Sequence, residues 1–492
     1  MSKRLLVVGA GLGGLSLALR ASHAGWDVTV FERSPTPGGK MNYFESDGFR
    51  FDTGPSLITL PQVFLQLLEE CEVPHEHLRF HRLQPLTQYR FADGSRIEYP
   101  DTLPALSSML EHREPDGGKG FWQLLATAAI LFELSEQTFF RTVPTELPSS
   151  AELRALLRSL RWFPLRHAWG NYAKTVARLI HSPQLRQIFY RYPTYVGSSP
   201  YHSPATLLVI PYLELMHGGW YPEGGLYQIV KTIVGALGQR GVVIHTNAEV
   251  RAIVHRNGRV EGVQLASGDV ISGDVVVFNG DVTTTDGLLG FSQRGSDRRV
   301  RSMSGVVFLL GLRRRLPDDV FHHTIAFSSD YRREFDELFE RGEFPTEPTV
   351  YLNVTSKTDR STAPEGCETL FVMANAPALD GTRWEDAIPM LWERMATVLH
   401  ARGIPIDDSD IVVRSVWTPE TFERVYGMPG GSIYGLASHS YRTAFLRPSM
   451  RDRRVRGLYY VGGSTHPGGG TPMVVLSSKL VYNLIERYEL GS

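Results

Sequence analysis

Leu5–Glu32 reads LLVVGAGLGGLSLALRASHAGWDVTVFE, and its punctuation decides the fold. Leu5–Val8 is a short apolar run of strand type. Gly9, Gly11 and Gly14 follow at GxGxxG spacing, with Gly13 inside the same loop. Leu12, Leu15 and Leu19 then recur with helical period, Gly25 ends the helix, and Val28–Phe31 forms a second strand-like run closed by Glu32. The order strand, glycine turn, helix, strand, acid predicts a βαβ unit with a dinucleotide fingerprint. Gly9 permits the tight turn, Gly11 lets backbone approach a pyrophosphate, and Gly14 lets helix and sheet pack closely. The helix N-terminus offers free N–H groups and the positive end of a dipole. Glu32 can accept hydrogen bonds from both ribose hydroxyls and would repel a 2′-phosphate. Lys3 and Arg4 before an apolar run imitate a secretion signal, but the glycines break the run at phosphate-loop spacing.

Composition narrows the class. The 492 residues are 42% hydrophobic and 21% charged, which suits a globular protein with more than one domain or a large insertion. A net charge of −1 gives no basic field for nucleic acid. Two cysteines, Cys71 and Cys367, make neither a disulfide framework nor a metal motif, and fit a reducing cytoplasm. No apolar run reaches the ~18 residues of a spanning helix. A peripheral contact with a membrane surface stays open, as does the oligomeric state.

Outward from the fingerprint, Arg33–Lys40 carries Gly38, Gly39 and a cation, which suits a loop folding back over the dinucleotide. Phe51-Asp52-Thr53-Gly54-Pro55-Ser56 places a second turn near the cofactor. Phe80–Tyr99 alternates around Asp93-Gly94 and reads as a hairpin of a second sheet. Phe121–Phe140 is apolar and helical but holds Glu133 and Glu136. Arg154–Trp169 sets arginines against bulky apolar residues, a pattern for a core-packed helix or one lying in a membrane interface. Phe189–Tyr212 and Gly218–Gly225 are rich in aromatics, proline and glycine, and suit either a long apolar tunnel or core packing with turns.

Val242–Asp281 returns to strands separated by turns at Asn257-Gly258 and Ser267-Gly268. Val275–Phe278 is wholly apolar and predicts a buried parallel strand. Its end, Asn279-Gly280-Asp281, then falls beside the fingerprint. Val306–Leu312, Thr349–Leu352 and Thr369–Met373 fit a sheet on the substrate side. Leu458–Val461, the loop Gly462–Pro472 and a helix from Met473 repeat the strand, glycine loop, helix order. Two helix N-termini in one chain serve a pyrophosphate and the anionic edge of a reduced isoalloxazine, which argues for FAD over NAD.

The expected fold is α/β: a discontinuous Rossmann-type FAD-binding domain with an inserted α+β substrate domain and a helical, membrane-facing segment. The boundaries are 1–89, 226–290 and 431–492 for the FAD-binding parts. They are 90–225 for the inserted substrate or membrane-associated segment and 291–430 for the substrate sheet. Six stretches together resemble the carotenoid (phytoene-type) desaturases of the flavin amine-oxidase-like superfamily. They are GAGLGGLSLALRAS at 9–22, PGGKMNYFESDGFRFDTGPSLIT at 37–59, TYVGSSPYHSPAT at 194–206, WYPEGG at 220–225, VVVFNGDV at 275–282 and YVGGSTHPGGGTPMVVLSSK at 460–479. The resemblance implies FAD, a two-domain flavoprotein and desaturation of a linear polyisoprenoid drawn from a membrane, the enzyme being cytoplasmic and peripherally attached. It implies Glu32 on the ribose and Gly9, Gly11 and Gly14 on the pyrophosphate. Gly39 and Lys40 match its flavin-side loop, Val250 its adenine-side contact, and Gly463 and Met473 its last loop and helix. Lys40 stands where arginine is commoner, which keeps the charge and loses the planar fork.

Cofactor contacts are therefore expected from Gly9, Gly11, Gly13, Gly14, Glu32, Arg33, Gly39, Lys40, Gly54, Pro55, Val250, Asn279, Asp281, Gly462, Gly463, Pro472 and Met473. Asp52 and Tyr195 are candidates to line the site, and His466 suits turn architecture better than acid–base work. Breaking unactivated C–H bonds needs a hydride acceptor, and flavin N5 is one. The resemblance spans desaturases of phytoene-type C40 and diapophytoene-type C30 chains and later-acting enzymes, namely hydroxycarotenoid 3,4-desaturases and terminal-methyl oxidases. An amine oxidase on the same fold and a non-catalytic flavin-binding lipid carrier are the rival readings.

Overall fold

The computed structural model describes residues 3–100, 102–137, 140, 143, 146, 154, 170–292, 301–379, 383–437, 439 and 447–490. Its organising layer is a parallel sheet of β1 (Arg4–Val8), β2 (Asp27–Phe31), β3 (Val243–His245), β4 (Val275–Phe278) and β5 (Leu458–Tyr460), in the order β5-β4-β1-β2-β3. β1 is flanked in register by Val28 and Val275 opposite Leu5. The unbroken apolar runs follow from burial on both faces. Leu5, Val7, Val28, Val30, Val275 and Val277 join a core with α1 (Leu12–His23), the helix Tyr227–Gln239 and α2 (Thr471–Ile485). The alternate residues Leu6, Val8, Val276 and Phe278 pack on a small antiparallel sheet of Val250–Arg256, Arg259–Leu265 and Val270–Ser272. The strand order reverses at β1, so the loops after β1, β4 and β5 open into one crevice at the carboxyl ends, the usual ligand position of such sheets.

The second layer is a seven-stranded sheet in the order Ile411–Trp417, Ser304–Leu312, Glu368–Ala376, Val350–Val354, His323–Ala326, Gln88–Arg90, Arg96–Glu98. It contains all three strands expected between 300 and 375. Helix Ile388–Ala401 covers one face through Leu391, Met395 and Val398. On the other lie the hairpin Tyr43–Ser46/Phe49–Asp52 and a helical layer, Leu103–Arg113, Gly117–Gln137, Tyr172–Leu179, Pro183–Arg191 and Val209–His217.

Two expectations change, and a third lies outside the described residues. The hairpin at Asp93-Gly94 forms from Gln88–Arg90 and Arg96–Glu98, but Phe80–Arg82 pairs instead with Trp220–Pro222. Pro85 between them has no N–H to carry one ladder through. The last helix begins at Thr471, not Met473, with Gly470 at its N-cap and Pro472 in its first turn, where a missing N–H costs nothing. The expected helix Arg154–Trp169 falls outside the described residues but for Arg154. Among the described residues no helix is long and apolar enough to cross a membrane.

Candidate active site

The crevice is closed around the side chain of Asn279. Its backbone N–H donates to Val8 O (2.8 Å), continuing β4 beside β1. Its Nδ2 donates to Gly9 O at 3.2 Å. A Cβ on Gly11 would stand 2.7 Å from that Nδ2, and a Cβ on Gly13 or Gly462 would stand 2.8 Å from Oδ1. One amide thus fills the room that these glycines leave. Gly14 serves helix packing, since a Cβ there would fall 2.2 Å from Gly9 O. Gly9 itself has φ +98°, the left-handed half of the map.

Glu32, 7% exposed, turns back under the same loop. Oε2 accepts from Ala10 N–H (2.8 Å) and Oε1 from Ser34 N–H (2.9 Å). The carboxylate is fixed in place, and each oxygen keeps a lone pair for a ribose hydroxyl. The loop Arg33–Lys40 folds over the fingerprint as its glycines suggest: Gly38 N–H donates to Ala10 O (2.8 Å), and a Cβ on Gly39 would lie 3.0 Å from Gly11 Cα. Gly54 supports it from behind, a Cβ there overlapping Lys40 O at 1.7 Å. Pro55 lines a hollow with Asp52, Ser56 and Asn353. Val250 opens its strand two residues after Ala248, whose N–H donates to Glu32 O (2.8 Å).

Arg33 does not turn into the crevice. Its guanidinium reaches the carbonyls of Arg424 and Val425 at the C-terminal end of helix Pro419–Tyr426. The negative end of that helix attracts it. Asp52 is also claimed elsewhere: it accepts from Tyr221 O–H (2.7 Å) and Leu226 N–H (3.1 Å), and burial pushes its carboxyl up to about 6. It pins the strand at 220–222 to the hairpin. Tyr195 sits in the helical layer, donating to Glu214 Oε2 (2.6 Å).

At the far end of the crevice, Ser464 Oγ accepts from Val282 N–H and donates to Gly280 O, both at 3.1 Å, tying the β4 and β5 loops together. Lys40 donates to Ile433 O, and burial lowers its ammonium to about 8 against the attraction of Asp281. Asp281, 2% exposed, caps the turn at Thr283 through Oδ1, while Oδ2 meets no donor among the described residues. The N-terminus of α2 has no side-chain cap. Gly463 has room: the nearest atoms a Cβ would meet are Gly469 Cα at 3.5 Å, and Gly469 N and Val474 Cγ2 at 3.9 Å, all ordinary contact distances. Protein packing does not demand glycine there. A flat ring laid on that backbone would, and it would face the first-turn N–H of α2 at Met473. His466 is buried in the same loop.

Two residues of this end were not foreseen. Tyr434 lies between Gly469 and Gly197, its ring 3.0 Å and 2.8 Å from their ideal Cβ positions, joining the last loop to the helical layer. Arg447 donates to Gly463 O at 3.1 Å, and burial lowers it to about 10. Neither belongs to a spaced motif; only the glycine-flanked Gly431–Gly435 stretch hints at the first. Among the described residues no three His, Cys, Asp or Glu side chains gather as a metal site. The glycine cradle, the anchored ribose carboxylate, the uncapped helix and the unmet Asp281 oxygen fit FAD.

The family described as flavin containing amine oxidoreductase matches residues 12–481. The zeta-carotene-forming phytoene desaturase of Myxococcus xanthus is 33% identical over 97% of this chain and 93% of its own length. The 1-hydroxycarotenoid 3,4-desaturase of Flavobacterium sp. (strain P99-3) is 32% identical over 98% and 99%. Putrescine oxidase bound to putrescine shares the fold, with TM-score 0.62, 14% identity and 99% of each chain covered.

Glu32→Ala removes a charged acceptor from the ribose, a loss on the order of 1.5–3 kcal/mol. Titration of the apoprotein should show FAD affinity down about tenfold or more; unchanged affinity would refute the assignment of the ribose end. Matched from its fingerprint to its last helix, the chain belongs to the flavin containing amine oxidoreductases, in their carotenoid desaturase branch, and is an FAD-dependent oxidoreductase.

Proposed function

We propose that this enzyme desaturates a linear carotenoid precursor, of phytoene-type C40 or diapophytoene-type C30 skeleton. The observation that carries the reading is the apolar wall beside the cradle. Leu57, just past the Gly54-Pro55 turn, converges with Leu83 and Leu86 on Gly219, and beyond them lies a core rich in tyrosine, phenylalanine and leucine. FAD, when bound, supplies the two-electron acceptor for oxidising an unactivated CH–CH pair.

The chain's own residues then have separable tasks. Glu32 and the N-terminus of α1 hold the adenosine and pyrophosphate. The N-terminus of α2 supplies fixed N–H dipoles beside the ring, where water cannot relieve an added negative charge. Lys40 adds a positive charge to the same crevice. Leu57, Leu83, Leu86 and Tyr434 exclude water from an oily substrate.

A later-acting enzyme, a hydroxycarotenoid desaturase or terminal-methyl oxidase, is the second reading. It is favoured by Glu214, a buried carboxylate on the wall of a leucine-lined hollow. Peripheral attachment to the membrane from the cytoplasm completes the proposal. The helices Gly117–Gln137 and Val209–His217 expose Trp122 (43%), Ile130 (40%) and Met216 (43%), a spacing of large apolar groups suited to an interface.

Anaerobic addition of a linear polyene to the FAD-loaded protein should bleach the oxidised-flavin absorbance, and putrescine should not. Bleaching by the amine alone would make the chain an amine oxidase. Bleaching by neither would leave the lipid-carrier reading. In a liposome flotation assay the protein should rise with vesicles; recovery in the soluble fraction with neutral and anionic lipid alike would remove the membrane from the account.

A further inference from the structure

The loop that folds over the fingerprint is gripped from outside by one segment. Arg33 opens the loop and Lys40 ends it, and both side chains donate to backbone carbonyls between 424 and 433. Arg33 reaches Arg424 O (3.3 Å) and Val425 O, and Lys40 reaches Ile433 O. Between the two grips the loop lies on the turn that receives the pyrophosphate. Gly38 pairs with Gly11 in a parallel bridge, and a side chain at Gly39 would press on Gly11 Cα at 3.0 Å. Ser34 N–H meets Glu32 Oε1, so the same loop also borders the ribose end.

The two sides of this contact are not equally fixed. The outer segment is tied to the seven-stranded sheet: Ser304 Oγ donates to Gly431 O (2.7 Å) and Ile433 N–H to Met303 O (3.3 Å). Leu379 N–H donates to Gly430 O (2.8 Å), and Glu423 Oε1 accepts from Gly430 N–H (2.9 Å), closing the turn after helix Pro419–Tyr426. Gly431 packs on Pro419 O, where a Cβ would fall at 2.2 Å. On the loop side Arg33, Pro35 and Thr36 are exposed. Gly427, with φ +62°, leaves the space that the guanidinium takes: a Cβ there would stand 2.9 Å from Arg33 Nη1. The partners of Arg33 are the last carbonyls of a helix, the negative end of its dipole. At the surface that attraction is modest and screened by salt. It is strong enough to bias the loop downwards and weak enough to break often.

We propose that Arg33 is the latch of a gate over the FAD site: its grip on the helix end at Arg424 and Val425 holds the loop Arg33–Lys40 down, and release of that grip lets the cofactor in and out. The latch joins two parts of the protein and makes no contact into the crevice. It therefore slows entry and exit alike and leaves affinity unchanged, which separates it from Glu32, a residue that holds the ribose.

The test measures both rates. Stopped-flow mixing of apoprotein with FAD, followed by flavin fluorescence, gives association. Transfer of FAD from the loaded protein to an excess of a second flavin-binding apoprotein gives dissociation. Arg33→Gln, which loses the charge, should raise both rates about fivefold, the upper factor for an exposed charge at a helix end, with Kd unchanged. Arg33→Lys should return both rates towards the wild type. High salt should speed FAD exit more in the wild type than in Arg33→Gln, because only the wild type has the latch to screen. Circular dichroism checks the fold of each variant. Unchanged rates in Arg33→Gln overturn the proposal. So does faster dissociation alone with Kd raised in step, the mark of a residue that touches the cofactor or shapes its site. Equal salt dependence in the two proteins also overturns it.

Discussion

Asn279 is the point on which the cofactor crevice depends. Three loops leave the sheet at neighbouring strand ends, and each must come close to the others without touching a side chain. The Asn279 amide donates to Gly9 O and occupies the space over Gly11, Gly13 and Gly462. A glycine loop is otherwise free to sample many conformations, and its entropy must be removed before it can grip a phosphate. Here a single polar side chain, carried at the end of a wholly buried strand of the sheet, does that for both glycine loops. The Ser464 bridge to Gly280 then carries the constraint to the ring end of the crevice.

The layer of the seven-stranded sheet follows a different logic. It is attached by buried polar contacts and not by apolar packing alone: Asp52 to Tyr221 and Leu226, Tyr351 O–H to Ser56 Oγ (2.6 Å), and Arg50 with Asp359 (3.2 Å). Each joins a residue of the flavin-side hairpin or turn to a strand, helix start or loop beyond it. Directional bonds of this sort fix the distance between the cradle and the wall that faces it, which a slide of apolar surfaces would not. The geometry that oxidises a C–H bond depends on that spacing.

Much of the crevice was legible because its signals are local. GxGxxG spacing with Glu32 at the next strand end needs no knowledge of distant residues, and an all-apolar Val275–Phe278 can only be an inner strand, which carried Asn279 to the right place. What the sequence hid is long-range. Arg33 looks like a loop cation until the end of helix Pro419–Tyr426 arrives beside it. Tyr434 and Arg447 approach the last loop from a stretch without period. The ion pair of Arg191 and Glu214 joins separate helices inside an aromatic-rich segment, where tyrosines read equally as tunnel or core. The pairing of Phe80–Arg82 with Trp220–Pro222 joins strands on either side of the helical layer, and alternation alone cannot choose between partners.

The most direct measurement is the FAD dissociation constant of Asn279→Ala, from fluorescence titration of the apoprotein, with circular dichroism as the control for folding. Loss of the clamp should weaken FAD by about tenfold or more, as expected when a hydrogen bond worth on the order of 1–1.5 kcal/mol goes and two loops are released together. The helical signal should be unchanged. An Asn279→Ala protein that binds FAD as tightly as the wild type would contradict the claim that this amide holds the two glycine loops in binding geometry.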